Sequence, residues 1–73
     1  MERIRALTRI RRLCASGAAR SIRVGAGLSL GALADHLGVQ RSTVYRWETG
    51  QRRPQEDRAI EYLKVLDEIA KGS

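Results

Sequence analysis

The 73-residue chain has no Phe and only one Cys, one His, one Pro and one Trp. One thiol cannot close an intramolecular disulfide, and Cys14 with the lone His36 cannot assemble a cysteine-rich zinc site. His36 has no Asp, Cys or Glu cluster around it at ligand spacing, so no metal, catalytic role or cofactor is expected. No apolar run approaches the roughly 20 residues of a membrane span. Basic residues interrupt every apolar stretch near the N-terminus, so no signal h-region can be drawn and a cytoplasmic, non-membrane protein is expected. No segment alternates apolar and polar residues for long, which leaves an all-helical reading. Without an aromatic platform beside the basic residues, RNA is the weaker nucleic-acid partner.

What the chain does have is positive charge: 14 Lys and Arg against 8 Asp and Glu, a net of +6, with 42% apolar residues. That balance is globular, and the length fits one small domain with one core and one site. A domain of this size buries only about 60% of its unfolded surface, so a partner or ligand would add needed stability. The charge attracts polyanions, whether nucleic acid, an anionic membrane surface or an acidic protein. It is unevenly spread: residues 1–27 carry seven Arg and one Glu, whereas residues 54–73 net −2 and are not the polyanion-binding part. Twelve of the basic residues are Arg, which suits bidentate recognition, although a GC-rich genome gives the same bias.

Five helices can be drawn. Ile4, Leu7, Ile10, Leu13 and Cys14 recur at helical spacing over 2–15, inside a basic segment 1–16 whose outer faces carry Arg3, Arg5, Arg9, Arg11 and Arg12. That surface is either a phosphate or membrane contact or a solvated face; if it contacts DNA, deleting residues 1–14 should weaken binding broadly. A short helix over 18–25 places Ile22 inward and Arg20 and Arg23 outward. Ser29 then caps a third helix with Leu30, Leu33, Ala34 and Leu37 as its stripe, closed by Gly38. A fourth spans 40–49, with Val44 and Trp47 inward and Gly50 after it. Pro54 suits the start of a fifth, over 54–71, whose first turn holds Glu56 and Asp57. Ala59, Ile60, Leu63, Leu66, Ile69 and Ala70 carry its apolar face, which is wide enough for two stripes: Ile60, Leu63 and Ile69 on one, with Tyr62, Val65 and Leu66 beside it. One stripe fills the core and the surplus serves a second subunit or a protein partner.

The third and fourth helices are separated only by Gly38-Val39, too tight a turn for an antiparallel hairpin, so they must cross at a large angle. With Ala34 at the close approach, Val39 plugging the turn, and Val44 and Trp47 on the core, the spacing over 29–49 is that of a helix-turn-helix. The exposed part of the second helix then carries Gln40, Arg41, Ser42, Tyr45, Arg46 and Thr49, types that bond base edges and phosphates. Arg52 and Arg53 follow directly, as either a phosphate clamp or a solvated turn. Trp47 reads as a core anchor rather than a stacking platform, Cys14 as a small buried apolar residue, and Glu48 as an ion-pair partner within its helix or of Arg52 or Arg53.

In register with that spacing stand Gly27-Leu28-Ser29, Leu33-Ala34, Gly38-Val39, Ser42-Thr43-Val44, Arg46-Trp47-Glu48, Gly50 and Arg53-Pro54. Over residues 22–54 the chain resembles the phage lambda repressor/Cro-like (XRE-type) helix-turn-helix family. The resemblance implies an all-α fold, a compact bundle of about five helices forming a lambda repressor-like DNA-binding domain over 1–73. It implies a non-enzymatic transcriptional regulator, a repressor or Cro-like protein that binds the palindromic operator in double-stranded DNA as a homodimer. Gln40, Arg41, Ser42 and Arg46 would face base edges, with Tyr45 beside them; Thr43, Thr49, Arg52 and Arg53, with Ser29 at its helix start, would lie on phosphates. Two departures stand out. Leu30 occupies a position where the family usually has a polar phosphate ligand, and one long run replaces two short C-terminal helices. Other readings are an antitoxin-like or phage accessory interaction module and a recombination-directionality factor that bends DNA.

Overall fold

The computed structural model describes residues 1–72; Ser73, the last residue of the expected domain, lies outside the described residues. Among the described residues the secondary structure is wholly helical: α1 (Glu2–Ser16), α2 (Ala18–Gly25), α3 (Leu30–Leu37), α4 (Arg41–Glu48) and α5 (Glu56–Gly72). The all-α expectation holds, and the boundaries fall within about two residues of the sequence reading.

Local chemistry sets the α3–α4 unit. Ser29 is extended, and its hydroxyl oxygen accepts the Ala32 N–H at 3.0 Å, satisfying one of the orphan donors of the first turn of α3. At the other end Gly38 has φ 69°, and the N–H groups of Gly38 and Val39 reach back to the carbonyls of Asp35 and Ala34 at 3.2 and 3.0 Å. This double bond pattern is a Schellman turn, and its left-handed residue is costly for any side chain with a Cβ. Gly50 closes α4 the same way, with φ 78° and a Gln51 N–H to Arg46 carbonyl bond of 2.9 Å. The crossing of α3 and α4 is sealed by buried Leu33, Ala34, Leu37 and Val44, with Val39 half-buried behind them.

The long helices complete the core. α5 packs most extensively on α1 and also meets α2 and α3. It therefore buries a wider arc than a single stripe: Ala59, Tyr62, Leu63 and Leu66 are buried, while Ile60, Val65 and Ile69 are half-buried. Leu63 and Leu66 are core as expected, but Tyr62 joins them while Ile60 and Ile69 lie at the edge, so neither expected stripe alone fills the core. The Tyr62 ring stacks on Trp47 with centroids 5.4 Å apart and planes at 30°. Trp47 is thus the core anchor its spacing predicts, held against α5 by an offset aromatic contact.

Three further expectations are corrected. Ile4 is 60% exposed instead of inward, because the part of α5 nearest the first turn of α1 presents Glu56 and Asp57, which Arg3 engages at 3.0 and 3.1 Å. Pro54 does not open α5. Its ring is buried, its carbonyl accepts a 3.2 Å bond from Arg11 Nε, and the helix begins at Glu56, whose φ is +56°. Arg23, expected outward, is 8% exposed and lies in the core.

Candidate nucleic-acid interface

α4 is bolted down on one side and open on the other. Val44, Trp47 and Glu48 are buried, whereas Gln40, Arg41, Ser42, Tyr45, Arg46 and Thr49 are exposed and Thr43 is half-buried. The bolt includes a charged pair: the Arg23 guanidinium donates through Nε and Nη2 to the two carboxylate oxygens of Glu48, the second at 3.1 Å, and through Nη1 to the Leu28 carbonyl at 2.8 Å. The hydrogen bond to Glu48 raises the Arg23 pKa further above its ordinary value, so the guanidinium stays charged at every relevant pH. This pair corrects the expected role of Glu48, which engages neither Arg52 nor Arg53 but ties α4 to α2 and to the residue before the α3 cap. The sequence carries no local signal for this pair, because its partners lie 25 residues apart on different helices.

The expected base-facing residues form one continuous surface. Arg41 opens α4, and its guanidinium lies over Gly31 of α3: a Cβ added at Gly31 would stand 3.3 Å from Arg41 Nη2. Tyr45, 51% exposed, sits one turn further along α4. Among the expected phosphate residues, Ser29 accepts from its own helix yet keeps its hydroxyl proton. Thr49 is more committed: its hydroxyl bonds the Tyr45 carbonyl at 3.0 Å and accepts the Gln51 side-chain amide at 3.0 Å. Arg52 and Arg53 are exposed in the loop after α4. Leu30, where a polar phosphate ligand was absent, is half-buried and packs on the core.

Two clefts flank that loop. One, of about 430 Å³, lies between α1 and the loop, over a floor of Cys14, Trp47 and Pro54 and with Arg11, Arg12, Arg52 and Arg53 at its walls. The other, of about 390 Å³, joins Thr43 of α4 to Arg52, Arg53, Gln55 and Arg58. Arg58 escaped the sequence reading because its segment is net acidic. Beneath these clefts burial pushes the Cys14 thiol up to about 11 and the Tyr62 hydroxyl well above its ordinary value, so both are protonated and inert near neutrality. The buried Tyr62 hydroxyl makes no hydrogen bond of ordinary geometry among the described residues and has the Cys14 thiol as its polar neighbour. His36 is exposed on α3, beside an apolar cleft formed by α3 and α5.

The electrostatics separate along α1. Arg3 and Arg9 face α5, where Arg9 meets Asp67 at 3.0 Å, so part of the acidic charge of the C-terminal helix is neutralised internally. The expected outer basic surface of α1 is thereby reduced: Arg3 and Arg9 are ion-paired and Arg11 is partly buried, while Arg5 and Arg12 remain exposed.

Comparison with known proteins agrees with this geometry. The family described as helix-turn-helix matches residues 20–69, which takes in α3, α4 and most of α2 and α5 and leaves α1 outside. A protein of Pyrobaculum aerophilum named as an HTH-type transcriptional regulatory protein is 62% identical over 32 residues, 44% of this chain and 13% of that protein. The chain thus corresponds to a small part of that relative's length. No solved structure matches. With a family match over most of its length and an α3–Gly38–α4 unit of the matching geometry, the chain belongs to the helix-turn-helix family of the lambda repressor-like (XRE) type.

Proposed function

We propose that the protein is a sequence-specific regulator of transcription that lays α4 in the major groove of double-stranded DNA, acting as a repressor or Cro-like protein on an operator. The observation that carries this is the two-sidedness of α4. Val44, Trp47 and the Glu48–Arg23 pair fix its inner side, while Gln40, Arg41, Ser42, Tyr45 and Arg46 stand open at its outer side. A rigid helix with amide, hydroxyl and guanidinium groups on its free face suits base-edge recognition, where each good bidentate pair discriminates by about 1–3 kcal/mol. Ser29, Thr43, Thr49, Arg52 and Arg53 surround that face and are assigned to phosphates; Thr49 would exchange its bond to the Tyr45 carbonyl for one to the DNA. A homodimer on palindromic half-sites follows as the simplest assembly, since two-fold protein symmetry is mirrored in the operator. The HTH-type regulator name of the Pyrobaculum relative supports the transcriptional reading.

The test compares Arg41→Ala with Arg53→Ala on a duplex enriched from a random library and on scrambled DNA. Arg41→Ala should cost about 1–3 kcal/mol on the enriched duplex and relax preference at one base position, whereas Arg53→Ala should weaken both duplexes alike. Equal losses on both duplexes for Arg41→Ala would remove the base-reading assignment. A second reading, docking of a protein partner on α5, is favoured by the half-buried Val65 and Ile69 at the apolar cleft with α3. Val65→Asp that leaves self-association and co-purifying partners unchanged would dismiss it.

A further inference from the structure

The appended helix α1 lies outside the segment that matches the family, and it brings arginines to the loop that follows α4. Arg11 is fixed there by its bond to the Pro54 carbonyl at 3.2 Å, which also ties the loop to α1. Arg12, next in sequence, is exposed and borders the same cleft, with Thr8 one turn earlier. The two clefts on either side of the loop share Arg52, Arg53 and Trp47, so their walls form one strip from Thr43 of α4 to Arg12 of α1. Five arginines line the strip, counting Arg58, and among the described residues no carboxylate does. The nearby acids of α5, Glu56 and Asp57, are engaged by Arg3.

From this we infer that α1 is a second DNA-contacting element: Arg11 and Arg12 extend the loop arginines into a track that follows the phosphodiester backbone beyond the groove entered by α4. The inference rests on the proposed DNA binding but adds a contact surface outside the helix-turn-helix itself. A guanidinium row over a shallow floor suits successive phosphates, because each neutralised phosphate releases condensed counterions and steepens the salt dependence of binding. The track reads no base, so it adds footprint and affinity without adding sequence preference.

The experiment measures affinity against salt for the full chain on the library-enriched duplex, comparing Arg12→Ala with Arg5→Ala. Both remove one charge from an exposed position of α1, but Arg5 lies outside the strip. Arg12→Ala should lower the slope of log affinity against log salt by about 0.9, so that a fourfold rise in salt costs it about 3.5-fold less affinity than it costs the parent protein. Arg12→Lys should keep the parent slope, and Arg5→Ala should change little. Equal slopes for Arg12→Ala and the parent protein, with sequence-specific binding intact, would overturn the role of α1 and leave the proposed function standing. If the parent protein shows no sequence-specific or salt-dependent binding, both fall. A parallel titration of inorganic phosphate, read by the amide resonances of the loop, separates free phosphate from the DNA backbone. Saturable binding lost in Arg12→Ala while DNA affinity stays unchanged would overturn the DNA assignment and make the cleft a small-anion site.

Discussion

Removing one member of the Arg23–Glu48 pair should be the most damaging single polar substitution in the protein. Arg23 is 8% and Glu48 6% exposed, and the pair is bidentate, with a third guanidinium bond to the Leu28 carbonyl. Glu48→Ala leaves a buried guanidinium without its counter-ion, a change that typically costs about 3–5 kcal/mol. A 73-residue domain has a total stability of only about 4–11 kcal/mol, at roughly 0.05–0.15 kcal/mol per residue. Glu48→Ala should therefore lower the urea midpoint by about 1.5–5 M at a slope near 1–2 kcal/mol/M, or leave the chain largely unfolded. Arg23→Met with Glu48→Leu replaces both charges by apolar volume and should recover most of the loss, since a well-packed apolar substitute for a buried pair is often neutral or stabilising. Circular dichroism at the helix band during urea titration reads both results. A loss under 1 kcal/mol for Glu48→Ala, or a double variant no better than the worse single one, would refute the view that desolvated charge governs this site. Should the double variant fold yet bind DNA poorly, the pair also sets the orientation of α4.

Two further outcomes follow from local geometry. Gly38→Ala places a Cβ at φ 69° with no atom within 4 Å, so backbone strain acts alone; the melting temperature should fall by about 4–8 °C, matching a net cost near 1 kcal/mol, and Gly38→Asn should fall less. Alkali should destabilise the fold: the folded-state pKa values of Cys14, about 11, and Tyr62 are raised, so the unfolded chain loses these protons first. The contribution of these two groups is constant below about pH 9 and declines as pH rises through 9 to 11. Cys14→Ala or Tyr62→Phe should each flatten that decline in pH-dependent thermal melts, and an unchanged profile in both would contradict the burial of the two groups.

Much of the fold is legible in the sequence because its boundaries are written in local chemistry. Ser29 marks a helix start through a side-chain acceptor, and Gly38 and Gly50 mark helix ends through a backbone conformation, none of which needs a tertiary partner. The outward face of α4 is equally legible, because Val44 and Trp47 fix the helix phase and the remaining residues follow by geometry. The inner arc of α5 is not, since which of Tyr62, Val65 and Ile69 is buried depends on helices arriving from two sides. The Arg23–Glu48 pair spans 25 residues, and the bond from Arg11 to Pro54 spans 43, so neither carries a local signature. Composition also misled at α5: its net acidity hid the fact that Arg3 and Arg9 engage Glu56, Asp57 and Asp67, leaving Arg58 on the basic strip.

The most direct test of DNA reading by α4 is a binding selection from a random duplex library, followed by titration of the enriched sequence and scrambled DNA at two salt concentrations. If α4 reads bases, a palindromic motif should emerge that is bound at least about 10³-fold more tightly than scrambled DNA, with the difference surviving at the higher salt. An affinity that falls equally with salt on every duplex would contradict it, leaving a basic surface without sequence recognition.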